Sequence, residues 1–197
     1  MGRALAFFSL LLFPAWAQSI NCDASDLRYD FGASGSFMQE TVGGVPYPVA
    51  NLVAYLDLLS QSSSKRFLPT TAVGGLGRYV ECVASAPTRS GGGGTICGAR
   101  NDWCLRITNV TGVFPVDWRT RLYVLVQLLS CSGGCTNHVP GVTLISALPD
   151  NRGLLSLSPG ATATFRVYFL VELSPEDTFT AFPATGSLTF TYGYQRN

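Results

Sequence analysis

The chain has 197 residues, thirteen basic and twelve acidic, for a formal net charge of +1. That balance provides no field to attract nucleic acid or an anionic membrane surface. A charged fraction of 13%, about half the usual share, describes a surface poorly protected against self-association.

The chain opens with the pattern of an export signal. Arg3 gives a positive start, Ala4–Phe13 is an apolar run of signal-core length, and Ala15-Trp16-Ala17 has the small-x-small form of a cleavage site. Residues 1–17 therefore read as a signal peptide, with Gln18 the expected mature start. The run falls short of the ~20 apolar residues a span requires, and no later segment reaches that length. The mature chain is expected to be secreted, extracellular or held at the cell surface, without a transmembrane helix. Residues 18–197 suit a single domain. Without Arg3 they carry twelve basic and twelve acidic residues.

Strand signals dominate after the signal peptide. Short β runs are expected at Leu27–Phe31, Arg78–Ala84, Cys104–Thr108, Arg121–Leu129 and Val142–Leu148. Val49–Leu59 fits either period: Leu52, Val53, Leu56 and Leu59 would make a helical stripe, whereas Leu52, Ala54, Leu56 and Leu58 alternate. The β-rich context favours a strand. Ala161–Leu173 is decisive, because Ala161, Ala163, Phe165, Val167, Phe169, Val171 and Leu173 all fall on one face at period two. Ser187–Tyr194 repeats the pattern with Leu188, Phe190, Tyr192 and Tyr194. Gly and Pro clusters punctuate these runs at Gly43-Gly44, Gly74-Gly75, Gly91–Gly94, Gly133-Gly134, Pro149-Asp150 and Pro159-Gly160. Short strands between turns, with almost no helical period, predict an all-β fold. The expected architecture is an antiparallel sandwich of immunoglobulin-like or jelly-roll-like form. Residues 85–103 are the most loop-like stretch.

Six cysteines, all after the signal, read as a disulfide framework with fifteen possible pairings. Short loops favour Cys97–Cys104 and Cys131–Cys135, which leaves Cys22–Cys82 to tie the amino-terminal segment to the body. A metal site is disfavoured, since there is no CxxC and the single histidine, His138, has no ligand-spaced partner.

Catalytic patterns are not found. His138, in SGGCTNHVPG, is the one candidate base for a Ser or Cys nucleophile and is expected instead as an exposed loop histidine. Twelve carboxylates permit a paired-carboxylate hydrolase, but none sits in a motif. Asp23, Asp26 and Asp30 miss the alternate ligand spacing of a calcium loop and suit a solvated strand edge. Gly91–Gly94 lacks the Lys-Ser/Thr of a phosphate-binding loop and reads as a flexible connector. Asn109-Val110-Thr111 is an N-glycosylation sequon. Trp103, Trp118 and Tyr123 are candidates for a sugar-binding platform, with core packing the commoner use of such residues. No cofactor is expected.

The carboxy-terminal third carries a family resemblance. Leu157-Ser158-Pro159-Gly160, the long alternating strand, Pro175–Gly186 and a last strand ending Tyr192-Gly193-Tyr194-Gln195 resemble secreted fibre subunits of the TasA/camelysin type. Leu56-Asp57-Leu58 is similar to their early strand. The same ending, with Asn21-Cys22 running into Tyr29-Asp30-Phe31-Gly32, is similar to spore-coat-U-type pilins. Residues 60–150 fit neither pattern. Both resemblances imply a non-enzymatic sandwich that forms a homopolymer by lending an extended segment to a neighbour's sheet. Gln18–Phe31 is the donor expected from this, with Gln18, Ile20, Leu27, Tyr29 and Phe31 along it. The expected function is therefore a structural subunit of the cell surface or of an extracellular fibre or pilus. The alternatives are a secreted carbohydrate-binding or adhesion module, with a surface glycan as partner, and a secreted carboxylate-based hydrolase.

Overall fold

The computed structural model describes residues 18–30, 37–40, 46–49, 57, 65–75, 77–92, 97, 101–114, 117–148, 153–174 and 185–196. The expected export signal, residues 1–17, lies outside these residues, as do Phe31 and most of Val49–Leu59. Of that last stretch, Val49 closes a strand and Asp57 has helical backbone, which departs from the strand expected there.

Fourteen strands are described: β1 Ser19–Cys22, β2 Asp26–Asp30, β3 Phe37–Glu40, β4 Pro46–Val49, β5 Lys65–Leu68, β6 Thr71–Val73, β7 Val80–Ser85, β8 Trp103–Val113, β9 Leu122–Ser132, β10 Cys135–Asn137, β11 Thr143–Leu144, β12 Gly153–Leu157, β13 Thr162–Leu173 and β14 Thr185–Arg196. They form two antiparallel sheets packed face to face, a disulfide-stabilised all-β sandwich. Sheet one is built on β13. One side of β13 is lined by β9, with β11 beyond it; the other side meets β7 at residues 162–167 and β5 at residues 171–173. Outside these lie β1 on β7, and β3 then β4 on β5. Sheet two runs β10-β12-β8-β14-β2-β6.

The alternation of β13 decides which face packs inward. Ala163, Phe165, Val167, Phe169, Val171 and Leu173 are all buried, while Thr162 is exposed and Thr164, Arg166, Tyr168 and Glu172 are half-buried. Leu170 is the exception, buried on the outward row. From sheet two, Leu27, Tyr29, Leu105, Ile107, Leu188 and Phe190 enter the same core. Phe169 and Phe190 stack across it with centroids 4.6 Å apart.

The bridges are Cys22–Cys82, Cys97–Cys104 and Cys131–Cys135, and no cysteine is free. Such bridges persist in an oxidising compartment. Cys22 and Cys82 are opposed residues of β1 and β7. Cys97–Cys104 fastens the 86–102 loop onto the outer face of sheet two, where Cys97 is buried. Cys131–Cys135 spans the crossover from β9 in sheet one to β10 in sheet two.

Two elements differ from the sequence reading. Of Val142–Leu148 only Thr143–Leu144 pairs with β9; Ile145–Ala147 is a 3-10 turn. Further along that edge, Val126 N–H already donates to the Val139 carbonyl (2.8 Å). Ile145 and Leu148 point inward three residues apart, which is the period of that turn. The second is Gly91, expected in a flexible connector. It is buried, its N–H donates to the Asn101 carbonyl (2.7 Å), and Asn101 N–H donates back to the Gly92 carbonyl (2.9 Å). A Cβ at residue 91 would lie 1.9 Å from the Asp102 carbonyl oxygen, so the close approach requires glycine.

Candidate interaction edge on β14

The apolar alternation of β14 runs from Leu188 to Tyr194, but pairing on both sides of the strand does not extend that far. On one side it follows β8 from Ser187↔Val113 to Arg196↔Trp103. A bulge there leaves Thr108 unpaired between Thr191↔Asn109 and Tyr192↔Ile107, and its hydroxyl donates to the Thr191 carbonyl (3.2 Å). On the other side, pairing with β2 ends at Asp26↔Thr189. Phe190 N–H then donates to the Ser25 carbonyl (3.1 Å). Past that bond, no strand among the described residues pairs with this side of β14 through Arg196. Antiparallel alternation turns every second peptide unit, at Tyr192, Tyr194 and Arg196, toward the unpaired side.

A cleft of about 410 Å³ opens beside this edge. Ile20, Cys22, Ala24, Val73, Phe190 and Tyr192 give it apolar walls, with Asp23, Ser25 and Thr191 as polar members. Asp23 is fixed from both ends: its N–H donates to the Glu81 carbonyl (2.9 Å) and its Oδ1 accepts from Glu81 N–H (2.8 Å). The Tyr192 hydroxyl is buried and has no hydrogen-bond partner among the described residues. Burial, and secondarily the Asp23 charge, pushes its pKa well above the usual phenol value. Burial also raises Tyr194, whose hydroxyl lies 3.5 Å from the Ser19 carbonyl of β1. Both phenols stay protonated and able to donate.

Of the donor residues named from sequence, Gln18 is exposed, Ile20 lines the cleft, and Leu27 and Tyr29 lie in the chain's own core at 0% and 1% exposure. Asn109 is exposed on β8. Asp26 accepts from the hydroxyls of Thr189 (2.6 Å) and Ser25 (3.2 Å), and Asp30 N–H donates to Thr70 Oγ1 (2.9 Å). Among the described residues no three His, Cys, Asp or Glu side chains converge as a metal site would need. Nor is any described helix long and apolar enough to cross a membrane.

The structure does not bring the aromatic trio together. Trp103 and Trp118 are buried, with indole N–H groups donating to the carbonyls of Arg89 (2.9 Å) and Gly112 (3.2 Å). Tyr123 lies on the opposite sheet's outer face, with the Arg66 guanidinium 4.2 Å from its ring centroid. That face carries a second such pair, Arg166 over Tyr79 at 4.4 Å, and each arginine also holds a carboxylate: Arg66–Glu172 at 3.1 Å and Arg166–Glu81 at 2.9 Å. Tyr168 packs on Tyr79 and donates to Gln127 Oε1 (3.1 Å).

No family model, curated protein or solved structure matches this chain.

His138 is not the exposed loop residue expected. It is half-buried, its Nε2 lies 3.0 Å from Ser156 Oγ, and desolvation lowers its pKa while a hydrogen bond to the Cys97 main chain pulls the other way. Ser156 is fully buried. A nucleophile must reach a substrate, so this pair is a satisfied polar contact beneath the 86–102 loop. Ser156 was missed because nothing in a spacing of eighteen residues links it to His138.

Proposed function

We propose that the chain is a non-enzymatic structural subunit of an extracellular surface layer or fibre, joined to its neighbours by β-strand addition. The acceptor in this reading is the free side of β14 beyond Thr189, and the occupant is an extended strand of a second copy. The observation that carries it is that residues 191–196 of β14 pair on the β8 side alone among the described residues. An open edge beside an apolar cleft offers an incoming strand main-chain partners and pockets for alternate side chains. A chain without strong net charge does not repel its own copies.

Of Gln18–Phe31, the donor expected from sequence, Ser19–Cys22 and Asp26–Asp30 are paired within the copy that carries them. Lending the segment would remove Leu27 and Tyr29 from the core and require Cys22–Cys82 to open. The proposal therefore rests on the acceptor.

Sedimentation and electron microscopy of residues 18–197 test the reading, with oligomers or fibres expected. Val73→Lys places a charge in the cleft at a side chain already 43% exposed, so it should abolish assembly and leave the fold intact. A dispersed monomer at high concentration overturns the subunit reading. Assembly undiminished by V73K overturns this acceptor. The tyrosine–arginine face of sheet one favours a second reading, a glycan-binding module; retention on immobilised polysaccharide that is lost in Tyr168→Ala would support it.

A further inference from the structure

The three bridges differ in how they meet solvent. Cys97 and Cys104 are both buried, at 3% and 0% exposure; Cys22–Cys82 pairs a half-buried Cys22 with a Cys82 at 0%; and in Cys131–Cys135 alone one cysteine, Cys131, is exposed, its partner Cys135 being half-buried. Attack on a disulfide requires a thiolate to approach one sulfur from the side opposite its partner, so access selects which bridge exchanges.

The crossover that carries this bridge is also held without it. Ser132 pairs with Thr162 at the end of β9, and Cys135 pairs with Leu157 at the start of β10. Ser158 N–H donates to the Gly134 carbonyl (3.0 Å), and Asn137 Nδ2 donates to the Val126 carbonyl (2.7 Å). Gly133 and Gly134 take φ of 91° and 111°, so the tight turn is set by backbone that glycine adopts readily. Opening the bond therefore releases neither strand. By contrast, Cys22–Cys82 fixes a short edge strand, and Cys97–Cys104 fixes a long loop.

We propose that Cys131–Cys135 is a thiol-exchange site at which the folded protein takes up a solvent-borne thiol as a mixed disulfide. The incoming thiolate attacks Cys131 Sγ and a new S–S bond forms there. The Cys131–Cys135 bond breaks, and its electron pair leaves on Cys135 Sγ, which takes a proton from solvent. The resulting Cys135 thiol has the Thr162 carbonyl 3.7 Å away as an acceptor. One disulfide is exchanged for another, so no outside oxidant is required. This inference is independent of the strand-addition reading.

The test treats native residues 18–197 with reduced glutathione, quenches by alkylation and maps the peptides. A glutathione adduct on Cys131, with Cys135 alkylated, should appear at least ~10-fold faster than opening of either other bridge, with the circular dichroism spectrum unchanged. Opening of Cys22–Cys82 or Cys97–Cys104 first, or opening of all three only with loss of structure, overturns the proposal. The double variant Cys131→Ser/Cys135→Ser should fold and take up no glutathione; failure to fold overturns the claim that the crossover stands without its bridge. Non-reducing electrophoresis distinguishes two sources of thiol. A covalent dimer through Cys131 shows that the Cys135 thiol set free in one copy has attacked the same bridge of a second, and a glutathione adduct alone assigns the exchange to the small molecule.

Discussion

Tyr29 of sheet two donates its hydroxyl to the carbonyl of Phe169 in sheet one, 3.0 Å away in the buried core. Phe169 falls in the short interval of β13 between the last residue paired with β7 and the first paired with β5. The phenol thus supplies a donor to a main-chain carbonyl beside a break in the sheet's own pairing. Burial raises its pKa well above the usual value, so it remains a donor. Tyr29→Phe keeps the packing and removes the donor. It should cost about 1–3 kcal/mol, the penalty for a buried acceptor left unmade, seen as a lower urea midpoint at unchanged m-value.

The bridges should rank by the loop each closes. Cys22–Cys82 has a separation of 60 residues and Cys131–Cys135 only 4. In the chain-entropy account, replacing the first pair by alanine should cost ~4 kcal/mol and the second ~2 kcal/mol. Denaturant unfolding of the two double variants gives the comparison; equal losses would contradict it.

His138 gives the fold a pH dependence of defined sign. Its folded pKa lies below the ordinary 6.5, chiefly because burial disfavours the charged ring. In the window between the folded and unfolded values, the unfolded chain binds the extra proton. The contribution is therefore complete above pH 6.5 and is lost as pH falls through the folded value. His138→Gln should flatten the slope of stability against pH in that window, measured as the difference from the unsubstituted chain.

Gly91→Ala would drive a methyl group into the Asp102 carbonyl. The 86–102 loop must lift from the sheet or strain its backbone, a loss of ~1–3 kcal/mol. Amide exchange at Gly92 and Asn101 should accelerate, and exchange in β13 should change only as far as global stability does.

The parts of the fold that could be read from sequence are those with one face in the core. Phe165, Val167 and Phe169 alternate with Thr164, Arg166 and Tyr168, so β13 showed its inward face despite the buried Leu170 on the other row. In β12, all of Gly153–Leu157 is buried, and the Cys97–Cys104 bridge lies against its outer side at Gly153 and Leu155. No alternation survives under such a cover, and the strand was invisible. Thr143–Leu148 failed in the opposite way, since its alternation matched a strand for which β9 had only a two-residue vacancy. The candidate site was hidden for a different reason. That Phe190, Tyr192 and Tyr194 face inward is local information, but where β2 stops beside them depends on a partner more than 160 residues away.

The middle position of β14 governs when sheet two can exist at all. Among the described strands β2 and β6 reach β8 only through β14, which lies more than 150 residues later in the sequence than Asp26–Asp30. During synthesis the earlier strands of that sheet emerge as two fragments with no hydrogen-bonded link between them. Contacts this distant in sequence also close slowly, because the loop entropy is lost before the pairing compensates for it. Sheet two therefore stays in two parts until Thr185–Arg196 has been made, and the face it presents to β13 cannot close before then.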